Sequence, residues 1–401
     1  MEKKLPLEGL KVLDFTIALA GPYATWQLAD MGAEVWKIER YGSGDQCRTW
    51  DPFINDLGTM FISYNKNKKS VEMNLRAEEG KQAIYEMAKQ ADVVVENFKS
   101  GSIDRLGLGY DKLKELNPKL VFVSLSGFGG TGPLKPYPCY DAIAEARSGF
   151  AASNGELNGP PIKAGNCIGD VSSGLYAVNA ILMALIDAQR TGKGCRIDMS
   201  MMDVGMQACE ETIMDFGLTG DAQPRFGDHD RFTAPYGMFE ARDGWVTLIA
   251  DTEPRWLSLC DALGLPELKA DPRFADNAAR VANKDALVEL ITNVTKTLRR
   301  AEVEEKLAAV DVPAAAVLSF IEAYTSEHAN AVGLTQMVNQ AKVGQMRFYA
   351  NPLHFDNEAC TIQRGAPLLG EDTDEVLKGL GYDEAAIQKL HEDGVVGSSL
   401  C

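Results

Sequence analysis

Residues Lys11–Glu39 read "KVLDFTIALAGPYATWQLADMGAEVWKIE". An apolar, β-branched run ("KVLDFT") gives way to a run with helical spacing ("GPYATWQLADMG") and then to a second strand-like run ("AEVWKIE"). Two strands separated by a helix's length of chain form a parallel pair with the helix as crossover. The pattern continues through "EEGKQAIYEMAKQA" and "DVVVENF", and "PKLVFVSLSGFG" adds a strand that ends in a glycine-rich loop. "YDAIAEARSGF" and residues 175–188 supply more helix, and "RTGKG" (190–194) turns into the strand-like "CRIDMSM". Strands alternating with helices predict an α/β domain on a parallel sheet.

After Leu218 the texture changes, through "TGDAQPRFGDHDRFTAPYG" to the strand "GWVTLIA" and the helical runs "KDALVELITNVTKTL" and "RAEVEEKLAAV". The expected organisation is a large Rossmann-like domain over 1–222 and a smaller α+β domain over 223–329. A C-terminal segment, 330–401, then returns to the large domain.

The first crossover invites a dinucleotide site, because Glu39 ends the second strand where an acid would bind ribose. The first turn, "FTIALAGP", has one glycine, Gly21, in place of G-x-G-x-x-G, so the backbone cannot approach a pyrophosphate. Glu39 is expected to pair with a neighbouring Lys or Arg instead. The formal charge of −17 argues against nucleic-acid or anionic-membrane surfaces, which rely on clustered Lys and Arg. Eight scattered cysteines without a C-x-x-C pair or metal-type spacing read as thiols in a reducing compartment, and no metal site is expected. The N-terminus lacks a signal peptide's apolar run, and no segment reaches about 18 apolar residues. A cytoplasmic protein is expected.

"GNCIGDVSSG" (165–174) places one acid, Asp170, among small residues just before the apolar run "LYAVNAILMAL". Asp170 suits a helix N-cap and suits chemistry equally well. The four histidines are isolated, and G-x-S-x-G, H-E-x-x-H and P-loop patterns are absent from the sequence. A carboxylate nucleophile fits an enzyme with no obvious His base, since an Asp near its reference pKa of about 3.9 is already ionised at neutral pH.

Together with "LEGLKVLDFTIALAGPYATWQLADMGAEVWKIERYGSGD", the blocks "NKNKKSVEMNL", "ADVVVENFKSGSIDRLGLGYDKLKELNPKLVFVSLSGFG", "YDAIAEARSG", "GDVSSGLYAVNAILMAL", "TGKG", "DVPAAAV" and "RGAPLLGEDTDEVL" resemble the family III CoA-transferases. That group (CaiB/BaiF-like) includes formyl-CoA, carnitine and bile-acid CoA-transferases. The resemblance spans nearly the whole chain. It implies coenzyme A or acyl-CoA as substrate, no tightly bound cofactor, a carboxylic acid acceptor and an interlocked homodimer. It makes Asp170 the nucleophile that attacks the thioester, and Tyr140 and Asp141 its neighbours.

For CoA, the resemblance implies contacts from Arg40 near the adenosine, Leu75 and Arg76 along the adenine, and Asn97, Phe98 and Arg105 at the pantetheine and phosphates. Leu19 and Ala20 fall beside the thioester, and Leu19 stands where some transferases carry a polar residue. Lys66, Lys68 and Lys69 are candidate phosphate partners or a solvated loop. The related α-methylacyl-CoA racemases carry a His where this chain has Tyr140, a poor base with a pKa near 10. A non-catalytic acyl-CoA-binding protein is the other alternative. The loop "RFGDHDRFTAPYG" lacks the glycine run of the oxalate enzymes, so a larger acyl group is expected, with His229 shaping acceptor choice.

Overall fold

The computed structural model describes residues 5–220 and 225–398. The domain boundary expected at 222 and the thiol of Cys401 lie outside the described residues. The chain divides into two compact units. One comprises Met1–Phe150, Ala164–Cys209 and Glu327–Cys401, and the other Ala151–Lys163 and Glu210–Ser326.

In the first unit the elements that frame the site are β1 (Lys11–Asp14), α1 (Ala20–Asp30), β2 (Glu34–Arg40), β3 (Lys69–Met73), α2 (Glu78–Gln90), β4 (Val93–Glu96), β5 (Val121–Ser126), α3 (Asp141–Ser148), α4 (Ile168–Thr191) and β6 (Arg196–Ser200). The strands pair in the order β3-β2-β1-β4-β5-β6, all parallel. That is the doubly wound order, in which the direction of winding reverses between β1 and β4. Ligands bind in the crevice outside the strand ends at that point.

Alternate residues of each strand feed two cores, as a period of two dictates. Leu13, Trp36, Val71 and Phe122 face one side, where α2 contributes Ile84 and Met87 and the C-terminal helices contribute Leu377 and Leu390. Val12, Val35, Val95 and Val123 face the other, against Ala24 and Leu28 of α1 and Ala177 and Ile181 of α4. Burial on both faces explains why "VVVE" and "KVLD" read as near-continuous apolar runs. The short strand Val396–Gly397 pairs antiparallel with β3 and covers its edge.

The second unit has a three-stranded antiparallel sheet of Tyr236–Ala241, Gly244–Ile249 and Ala314–Ala316. Its core gathers Phe239, Trp256, Phe274, Leu287 and Ile291. Buried Arg280 donates to the carbonyls of Ala234 and Phe274 and to Glu253.

Candidate active site

Asp170 is the third residue of α4, inside the helix, so it is not the N-cap that its position in the sequence allows. Cys167 stands at the cap, and its side chain makes no capping hydrogen bond. The capping comes from α3 instead: Asp141 Oδ1 accepts the N–H of Gly169 at 2.8 Å and of Asp170 at 3.1 Å. A Cβ on Gly169 would lie 2.9 Å from that oxygen, which is why a glycine precedes the acid. The Asp170 carboxylate is thereby not used to cap its own helix, and it lies near the backbone N–H of Ala20, whose dipole favours the ionised form.

Ala20 is the first residue of α1, a helix with neither a side-chain cap nor an acid in its first turn. Its free N–H groups make that end a natural seat for an anion. The two helices approach closely because Gly174 faces α1, where a Cβ would meet Tyr23 Cδ1 at 2.8 Å and the Ala20 carbonyl at 2.9 Å. Burial nevertheless dominates the carboxyl's ionisation. Burial, followed by the negative charge of Asp141, pushes Asp170 up to about 7, against the pull of the nearby Ala20 backbone N–H. The expectation of a carboxylate near its reference value is therefore corrected: close to neutrality Asp170 is poised between its two forms.

A cleft of about 760 Å³ opens at the carboxyl ends of the strands, at the switch point. Arg40, Leu75, Arg76 and Phe98 line it together, with Thr16 and Ile17 on the β1 side. Two residues, Ala18 and Leu19, separate Ile17 from Ala20, so the cleft lies within about 10 Å of chain of the start of α1. The amide of Asn97 is committed to the neighbouring loop, accepting the Ile17 N–H and donating to its carbonyl, both at 2.8 Å. Leu19 and Ala20 are buried at the start of α1. Arg105 is exposed and donates to Ser102, while its neighbour Leu106 lines the cleft. Tyr140 is 64% exposed, one residue before Asp141.

Of the lysines of "NKNKKS", Lys66 and Lys68 are buried and closed to phosphates, and Lys69 is partly exposed but paired. Lys68 is fully buried on Asp14 at 3.1 Å and on the carbonyl of Pro22. Lys66 is buried over the Trp26 ring, and Lys69 bridges Glu34 and Glu375. Glu39 holds Arg48 through two bonds of 2.7 and 2.6 Å and is not open to a ribose. In the second unit the His229 ring packs edge-on against Phe239, with centroids 5.1 Å apart, and burial lowers its pKa. Lys37 and Asp45, which also line the cleft, had no place in the sequence-based site. A lysine in the middle of a buried strand was the signal for them.

The sequence profile of CoA-transferase family III matches residues 7–373. An acetyl-CoA:oxalate CoA-transferase from Acetobacter aceti is 36% identical over 95% of this chain and 97% of its own. Mouse succinyl-CoA:glutarate CoA-transferase is 33% identical over 98% of this chain and 90% of its own. The crystal structure of a CaiB/BaiF family protein from Brucella suis superposes with a TM-score of 0.86 at 33% identity, covering 94% of this chain and all of that one. With the switch-point cleft and an acid set on a bare helix terminus, these matches identify the chain as a member of CoA-transferase family III.

Proposed function

We propose that this CoA-transferase uses Asp170 as its covalent nucleophile and passes CoA from an acyl-CoA donor to a small dicarboxylic acid. The observation that carries the reading is the placement of the Asp170 carboxylate beside the uncapped N-terminus of α1, where Gly174 of α4 packs on Ala20, one short loop from the cleft. An Asp170 oxygen adds to the thioester carbonyl, the C–S bond breaks and CoA leaves as thiolate, giving an acyl-aspartyl anhydride. The thiolate attacks the aspartyl carbonyl, releasing the donor acid and leaving an aspartyl-CoA thioester. The acceptor carboxylate then displaces the thiolate, which takes the acceptor acyl group and frees Asp170. No net proton is consumed, and each step conserves an activated acyl bond. Arg40 and Arg76 at the cleft suit the phosphates of CoA.

The relatives named for oxalate and glutarate support a dicarboxylate acceptor, in place of the larger acyl group expected from the sequence. Mixing the protein with an acyl-CoA and quenching with hydroxylamine is expected to leave a hydroxamate on the Asp170 peptide. Label on another peptide, or none during turnover, refutes the assignment.

We also propose a cytoplasmic homodimer. Helix α4 carries a stripe of exposed apolar side chains, Leu175, Tyr176, Met183 at 69% and Ile186 at 68%. By length and composition alone this helix is apolar enough to cross a membrane, although Asp170, Asn179 and Asp187 interrupt it and no uninterrupted run of about 18 apolar residues forms. It packs on α1 and carries Asp170, and a second copy of the chain is the cover that leaves both in place. Sedimentation at micromolar concentration should show a dimer; a stable monomer overturns this.

A further inference from the structure

We propose that the buried Lys37–Asp45 pair is a positioning device that locks the Thr16–Ala18 loop and so holds the N-terminus of α1 beside the nucleophile. This rests on Asp170 being that nucleophile.

Lys37 lies in the middle of β2 with 0% of its surface exposed, and Asp45 retains 1%. The Lys37 ammonium donates to the Thr16 carbonyl at 2.8 Å and to Asp45 Oδ2 at 2.9 Å. Asp45 Oδ1 accepts the Ala18 N–H at 3.2 Å and the Cys47 N–H at 3.1 Å. Between these anchors the Asn97 amide clamps both backbone groups of Ile17. Three consecutive loop residues are thus each tied to a side chain from a different part of the chain: buried Lys37 on β2, half-buried Asn97 just after β4, and buried Asp45 in the segment beyond β2. Below them, Asp14 accepts the N–H and hydroxyl of Thr16.

The loop has a reason to be held. Ala18 sits at φ +65°, in the left-handed region that an alanine leaves unless its surroundings over-determine it. Two residues later the chain enters α1, whose first residue, Ala20, packs against α4 at Gly174, one turn beyond Asp170. If Ala18 relaxes, the first turn of α1 swings away from the carboxylate. Stability alone does not account for the ion pair. Apolar residues of similar bulk fill such a space without loss, and often with a gain, but they supply no hydrogen bonds to the loop.

The test follows from that difference. The double variant Lys37→Met/Asp45→Leu removes both charges together and leaves no unpaired ion in the core. It is expected to fold, to bind free CoA in calorimetry within about threefold of wild type and to lose about 100-fold in kcat, the scale of a misplacement near 1 Å. Ala18→Val reaches the same loop without touching a charge, because a β-branched residue resists positive φ; it is expected to show the same split. Full turnover in folded double variant or in Ala18→Val overturns the proposal. So does weakened CoA binding with intact kcat, which would make the pair a CoA contact. Acyl capture at Asp170 is read separately by mass spectrometry of the wild-type protein. Absence of capture there refutes the nucleophile, whereas capture combined with fast variants refutes only the positioning role.

Discussion

Replacing Asp170 with Asn keeps the shape of the side chain and an oxygen near the start of α1, and removes the charge. In the folded protein burial and Asp141 raise this carboxyl from 3.8 to about 7. At pH 8 such a shift corresponds to about 4 kcal/mol against the ionised form. The favourable helix-terminus contacts contribute only about 0.3–2 kcal/mol and are already outweighed. Because the side chain is partly open to solvent, about 2 kcal/mol is the fairer figure. Asp170→Asn should therefore stabilise the protein at pH 8, raising its melting temperature by roughly 4 °C at about 2 °C per kcal/mol. The sign follows from proton binding: a carboxyl with a raised folded pKa favours the folded state below the unfolded value and loses that contribution as pH rises through about 7. The gain from Asn should thus shrink as pH falls and vanish near pH 4. Turnover should fall at least about 100-fold at every pH, since a covalent nucleophile is gone. The assays are differential scanning calorimetry across pH and CoA transfer by mass spectrometry, run promptly so that deamidation does not restore the acid. A lower melting temperature at pH 8, or transfer above roughly a hundredth of the wild-type rate, would refute the reasoning.

Asp141→Asn keeps an oxygen to cap α4 but removes the negative charge beside Asp170, leaving Tyr64 and Cys139 as the other titratable neighbours. The acidic limb of kcat/KM, expected near pH 7 in the wild type, should move to lower pH, and an unmoved limb assigns it to another group. Gly174→Ala puts a Cβ 2.9 Å from the Ala20 carbonyl, which should cost about 1–3 kcal/mol and slow transfer as α1 is pushed off Asp170; thermal unfolding and kcat measure the two effects. Arg40→Ala and Arg76→Ala should each raise KM for acyl-CoA by roughly 10-fold or more with kcat nearly unchanged, as expected for a charged contact that does not change during the reaction, and steady-state kinetics will show whether kcat falls instead.

The strands and crossovers of the first unit were legible because they follow from local periodicity. Runs such as "KVLDFT" and "VVVE" are apolar on both faces only where a parallel sheet is covered on both sides. Asp170 was also legible, as an acid among small residues, although the sequence left it equally suited to capping its own helix. Only the tertiary structure removed the capping use, by bringing Asp141 from 29 positions away to do the capping. Ionisation, too, was settled by the fold. A carboxylate assigned its reference pKa from the sequence is raised toward neutrality by its surroundings. The basic run "NKNKKS" reads as a solvated or phosphate-binding loop, yet Lys66 and Lys68 are buried beneath α1 among Asp14, Asp30 and Trp26. Residues 151–163 belong with the second compact unit, and nothing in their composition announced it. Hydrophobic spacing is written along the chain and can be read there. Desolvation, charge pairing and helix-end contacts depend on which distant groups meet, and those meetings exist only once the sheet has assembled.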